Sequence, residues 1–123
     1  MRKQYFFRPM AGAFSAWDVD RLVELTRNFP RRRVALADIR ELAEPWFGAD
    51  ESPTWQALVE HVTLMDAADL SFPIILAADG AVMDGMHRVA KALRAGQTAI
   101  EAVQFTVDPQ PDYLNVQPEA LPY

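Results

Sequence analysis

Met83-Asp84-Gly85-Met86-His87-Arg88-Val89-Ala90-Lys91-Ala92-Leu93-Arg94-Ala95-Gly96 is the stretch whose reading decides the fold. Residues 87–95 read as a helix, and Gly96 stands where a helix C-cap favours a left-handed residue. Just upstream lies an apolar run, residues 73–78, followed by Asp79-Gly80. That dipeptide suits a two-residue hairpin turn leading into Val82-Met83. Just downstream, residues 99–107 are rich in β-formers. The order is therefore strand, turn, short strand, glycine loop, helix, strand. Gly85 lets the backbone bend sharply where the helix starts. The unpaired N–H groups of the first turn, with His87 and Arg88 at the same mouth, are expected to suit an anion such as a phosphate.

Working outward, the run 73–78 is almost wholly apolar and is expected to be a strand buried on both faces. Ser52-Pro53 predicts a helix start, a capping hydroxyl followed by proline at the first helical position. Trp55, Leu58, Val62 and Met65 then form one apolar stripe, read as core packing. Nearer the N-terminus, residues 4–7 are aromatic and suit an edge strand. Ser15 is read as a helix cap with Asp18 as its capping-box partner, ahead of Val19, Leu22, Val23 and Phe29 at helical spacing. Pro30 closes that helix. Arg31-Arg32-Arg33 reads as an exposed connector, residues 34–36 as a short strand, and residues 39–47 as a brief helix or turn broken by Pro45. Residues 108–123 hold Pro109, Pro111, Pro118 and Pro122 and are expected to be extended and irregular, with Tyr113, Leu114 and Val116 available to pack back. The pattern predicts an α+β fold, a small mixed sheet with flanking helices on one side, in a single domain over residues 1–123.

The chain has 123 residues and a net charge of −5, unevenly placed. Residues 1–40 carry nine Lys/Arg against four Asp/Glu, whereas residues 41–86 carry nine acids and no Lys or Arg. An acidic protein is a poor general binder of duplex DNA, so nucleic acid is disfavoured as a partner. There is no cysteine, which excludes disulfides, thiolate metal sites and a cysteine nucleophile, and fits a cytoplasmic setting. No stretch approaches the ~18 apolar residues of a membrane span, and no secretory signal is recognised, so no membrane partner is expected.

The chemistry falls on few residues. Arg88 can grip a phosphate or carboxylate in two-point geometry; its plainer reading is a surface arginine paired with Asp84 or another acid from residues 41–86. His87 can donate to an anion or shuttle a proton, or simply pack at the helix start. Asp84 can orient Arg88, meet a metal through a bound anion or act as a base, or bond its own turn. Lys91, one turn beyond His87, can reach the same mouth or stay solvated. The candidate catalytic residues are thus Asp84 and His87, and the candidate ligand-binding set is Gly85, Met86, His87, Arg88 and Lys91. His61 and His87 lack the spacing of a helical metal pair, so no metal site is expected. Neither a Walker loop nor a Gly-x-Ser-x-Gly elbow is present.

The run Pro73-Ile74-Ile75-Leu76, Asp79-Gly80, Asp84-Gly85-Met86-His87-Arg88, Ala90, Ala92 and Gly96, then residues 100–103, resembles the ParB/sulfiredoxin superfamily. Its members show an apolar strand ending in a turn and an Asp-Gly-x-His-Arg-like signature opening a helix. The resemblance covers about a third of the chain; residues 34–42 are only weakly similar and residues 1–30 show none. Members bind and hydrolyse CTP, reduce an oxidised cysteine with ATP, or phosphorylate free serine; some are described as nucleases. In common the resemblance implies a nucleotide phosphate held near Gly85, His87 and Arg88 with Asp84 beside them, and CTP or ATP/ADP with Mg²⁺ as ligand. Phosphotransfer or nucleotide hydrolysis would follow from that. Met86 occupies the position of the sulfiredoxin cysteine and cannot supply a thiolate, so sulfiredoxin activity is not expected. The helix-turn-helix and dimerisation domains of partition proteins lie outside these residues, so a sliding clamp is not expected either. The alternatives are a non-enzymatic interaction module recruiting a protein through the tail or the basic start, and a nucleic-acid-binding or nuclease-like domain using Arg31 to Arg33.

Overall fold

A tight turn at Ala11-Gly12, with Gly12 at φ +76°, folds the N-terminal segment into a hairpin of β1 (Tyr5–Met10) and β2 (Ala13–Asp18). The computed structural model describes residues 3–45 and 53–123. The hairpin sets Phe6 opposite Trp17, ring centres 5.6 Å apart, an aromatic cross-strand pair of the kind that stabilises sheets. Ser15 therefore lies inside β2 and caps no helix. The cap is Asp18, whose carboxylate accepts from the Asp20 N–H at 2.9 Å, and α1 runs Val19–Thr26. The Ser-x-x-Asp spacing that suggests a capping box belongs to a strand, because the glycine turn before it dictates hairpin pairing.

β3 (Arg32–Ala35) begins earlier than residues 34–36, so Arg32 and Arg33 belong to the sheet rather than to a connector. Two single-turn 3₁₀ segments follow, Leu36–Asp38 and Arg40–Ala43. Residues 46–52 lie outside the described residues, and with them Ser52 and the end of the segment predicted over 39–47. α2 (Trp55–Ala67) is capped by Thr54, whose hydroxyl accepts from the Ala57 N–H at 3.1 Å.

β4 (Ile74–Leu76) and β5 (Val82–Asp84) form the hairpin expected around Asp79-Gly80, with a different turn. The Gly80 N–H donates to the Ala77 carbonyl, the Ala77 N–H donates to the Ala81 carbonyl, and Gly80 sits at φ +90°. That is a three-residue loop with a left-handed glycine, not a two-residue turn. α3 (Met86–Arg94) ends at Gly96, φ +76°, as its C-cap position requires, and β6 (Ala99–Gln104) follows. β7 (Tyr113–Val116) lies in the proline-rich tail and ends ahead of a last 3₁₀ turn, Pro118–Ala120.

The fold is α+β, with its strands in two sheets rather than one. A mixed sheet runs β3-β6-β4-β5, with β4 and β6 parallel; an antiparallel sheet runs β1-β2-β7. β4 is buried on both faces, as its composition predicts. Ile74 and Leu76 join Leu36, Val82, Val89 and Ile100 on one side. Ile75 joins Trp17, Leu22, Met83 and Phe105 on the other. Leu22, Ile74 and Val89 are fully buried, each worth roughly 1.5–3 kcal/mol of transfer free energy. Arg8 of β1 clasps Asp79 in the β4–β5 loop at 3.1 and 3.2 Å, linking the two sheets.

Two expectations fail here. α2 buries none of its residues, and Trp55 of the predicted core stripe is 83% exposed. The helix lies outside the sheet cores, against α3. The tail is less irregular than its prolines predict: β7 pairs with β2, the Trp17 indole N–H donates to the Pro109 carbonyl at 2.8 Å, and Leu121 is buried. Proline ends strands without forbidding one between two prolines. Leu114 of that strand stays exposed. Among the described residues no helix is long and apolar enough to cross a membrane.

Candidate functional site

Gly85 is the corner on which the candidate site turns. It precedes α3 at φ +111°, a left-handed conformation open to glycine at little cost. A Cβ built there would stand 2.6 Å from Ile74 Cγ2 and 2.9 Å from Arg88 Nη2, so glycine is required by space as well as by angle. The first helical bond runs from the Val89 N–H to the Gly85 carbonyl at 3.0 Å. The N–H groups of Met86, His87 and Arg88 have no carbonyl one turn earlier and form the positive end of α3.

Successive helical residues point about 100° apart, and this separates the expected site residues. Arg88 turns back over Gly85 and donates to Asp84 at 2.8 Å, with both side chains largely buried. This pair lines a cavity of about 230 Å³ between α1, the start of β3 and the sheet. Arg27 and Arg31 line it too, and Phe29, Phe72 and Ile75 give it apolar walls. Arg31 is anchored by the Ser71 carbonyl at 2.9 Å and by Glu101 at 3.2 Å.

His87 and Met86 face the other way. His87 Nε2 meets His61 Nδ1 of α2 at 3.0 Å, the rings 26° from parallel. Burial pushes the His87 imidazole below its ordinary value and His61 adds to this, against a smaller opposing effect of Asp84. The pair borders a second, larger cavity of about 380 Å³ between α2, α3 and the 3₁₀ turn that carries Glu41. His87 and Arg88 thus serve two cavities, not one mouth.

Lys91 reaches neither. Its ammonium donates to the Asp66 carbonyl at 3.0 Å and the Ala68 carbonyl at 2.7 Å, at the C-terminal end of α2. Carbonyls there lack helical partners and draw a cation. Arg94 adds an ion pair to Asp66 at 2.8 Å, so α3 holds α2 by its basic residues.

Two contacts carry no signal in the sequence. His61 stands 26 positions from His87, a separation with no local signature, and only the packing of α2 on α3 joins them. Glu41 has one carboxylate oxygen accepting from the Val82 N–H at 2.6 Å, while the other is buried with no hydrogen-bond partner. Among the described residues no group of three or more His, Asp or Glu side chains is placed to hold a metal ion. Compared with family models, curated proteins and solved structures, the chain has no significant match.

Proposed function

We propose that this chain binds a phosphate-bearing small molecule, a nucleotide being the favoured class, at the Asp84–Arg88 corner. The observation that carries the reading is the Arg88 guanidinium, held by Asp84 over Gly85 at the positive end of α3, on a cavity wall shared with Arg27 and Arg31. Guanidinium groups match phosphate oxygens in two-point geometry, and a helix N-terminus adds N–H donors. The resemblance of Asp84-Gly85-Met86-His87-Arg88 to the ParB/sulfiredoxin signature narrows the ligand to CTP or ATP/ADP with Mg²⁺. In this reading Asp84, on the Arg88 side of the corner, meets the Mg²⁺ that accompanies the phosphates. Hydrolysis or phosphotransfer would fall to Asp84, since His87 faces the second cavity.

A thermal-melt series with CTP, ATP, ADP and inorganic phosphate, each with and without Mg²⁺, tests this. An upward shift with at least one nucleotide is expected. Arg88→Lys keeps the charge but loses the fork, and should shrink that shift. Flat melting curves for every nucleotide at millimolar concentration overturn the reading.

A further inference from the structure

We propose that Phe72 selects the ligand of the Asp84–Arg88 corner: its exposed ring is a platform on which the planar base of a nucleotide stacks while the phosphates reach Arg88. This inference rests on the phosphate reading and adds the half of the ligand that phosphate chemistry leaves open. The cavity has a floor and a rim. Ile75 and Val103 are buried at its floor, beside the largely buried Asp84–Arg88 pair. Phe72 and Val23 are 58% and 51% exposed and form part of its rim. A hole of about 150 Å³ holds one benzene ring. At about 230 Å³ the cavity has room for a phosphate or for a ring, and not for a whole nucleotide. With the anion drawn to Arg88, the rest of the ligand leaves across the rim that Phe72 helps to form.

Phe72 is exposed without being loose. It lies between α2 and β4, in a turn closed by its own N–H donating to the Asp69 carbonyl at 3.3 Å. The Asp69 carboxylate accepts from the Ser71 N–H at 2.9 Å and from the Ser71 hydroxyl at 2.7 Å. Arg31 clamps the same turn by donating to the Ser71 carbonyl, and Glu101 holds that guanidinium in place. Arg31 is thus a positioning residue for Phe72. Pro73 stiffens the chain just before β4. An aromatic side chain on a backbone fixed this way loses little further freedom when a ligand lands on it, and its flat face stacks any base. The other walls suit a ring better than a hydroxyl-rich body. Phe29, held edge-on to Phe105 at 5.3 Å, is apolar, and the Thr26 hydroxyl already donates to the Leu22 carbonyl. Among the described residues Arg88 donates through Nη2 alone, to Asp84, which leaves its other N–H groups for phosphate oxygens.

The test is isothermal titration calorimetry with CTP, ATP and tripolyphosphate, each with Mg²⁺. Tripolyphosphate carries the charge without a base. The tighter of the two nucleotides should bind at least about tenfold more strongly than tripolyphosphate. Phe72→Ala, a change at an exposed side chain, should weaken that nucleotide about tenfold and leave tripolyphosphate unchanged, and Phe72→Trp should retain the native affinity. Arg88→Lys should weaken nucleotide and tripolyphosphate alike. A nucleotide that binds no better than tripolyphosphate, or that keeps its affinity in Phe72→Ala, overturns the role of Phe72 and leaves the phosphate reading standing. Equal losses of nucleotide and tripolyphosphate in Phe72→Ala overturn it too, since the side chain would then act on the shape of the site. Absence of binding by all three compounds overturns both readings.

Discussion

His61 and His87 join α2 to α3 through ring nitrogens 3.0 Å apart, a contact that needs at least one neutral imidazole to accept the hydrogen bond. The groups facing His87 are His61 from α2, Asp84 from β5, and Glu41 and Glu44 across the cavity. Burial lowers its folded-state value below the ordinary 6.5, and the His61 ring acts in the same sense. The unfolded chain therefore binds the proton more readily than the folded one. Stability is fully present above about pH 6.5 and falls as the pH drops through that value toward the lowered one. We expect the melting temperature to decline between pH 7.5 and 5.5, and His87→Gln to flatten the decline. Asp18, Asp69 and Asp79 are shifted down from 3.8 and act below this window. An unchanged slope in His87→Gln refutes the assignment.

Gly85→Ala tests the corner itself. The new methyl would meet Ile74 Cγ2 at 2.6 Å, and Ile74 is fully buried in the sheet with no room to retreat. Left-handed backbone costs a non-glycine residue roughly 1–2 kcal/mol, and overpacking adds about 1–3 kcal/mol. A loss of about 2–5 kcal/mol is expected, seen as a lower urea midpoint at unchanged slope. A loss under about 1 kcal/mol would mean the corner relaxes freely.

Much of the second half of the chain was legible because its signals are local. Gly80, Gly85 and Gly96 each mark a left-handed position, and the apolar run at Ile74-Ile75-Leu76 announces a strand covered on both sides. The N-terminal half and the tail depend on partners distant in sequence. Ser15 fits a capping box until β1 claims it, and residues 113–116 look irregular until β2 offers them an edge. At the site, Asp84 is one of the acids that the sequence offers Arg88, and the structure pairs the two at i,i+4. His61 against His87 was not legible, and neither was Glu41 under β5, since both contacts exist only after α2 and the 3₁₀ turn dock.

The stripe on α2 separates periodicity from burial. Trp55 and Leu22 are both large apolar residues at helical spacing, yet one is 83% exposed and the other fully buried. Trp55→Ala should change stability by no more than about 0.5 kcal/mol, as exposed substitutions do. Leu22→Ala leaves a hole between α1 and the sheet and should cost about 2–5 kcal/mol. Equilibrium unfolding of both variants checks the contrast, and a large loss for Trp55→Ala would place α2 in the core after all.

The tail offers the sharpest separation between a recruiting arm and a structural strand. The Asp112 carboxylate accepts from the Asp18 N–H at 2.7 Å, and Arg21 donates to the Gln110 carbonyl at 2.7 Å. Together with the Trp17–Pro109 bond and the β2–β7 ladder, these contacts cover one edge of β2 and the polar end of a buried tryptophan. Removing residues 108–123 would leave β2 with a bare edge, and bare edges pair with other chains. A chain truncated after Val107 should lose its near-ultraviolet tryptophan signal, bind a hydrophobic dye and aggregate with rising concentration. An arm whose only task is to hold a partner would come off cleanly, leaving the spectrum and the urea midpoint of the full chain. That outcome would return the tail to the role its prolines suggest.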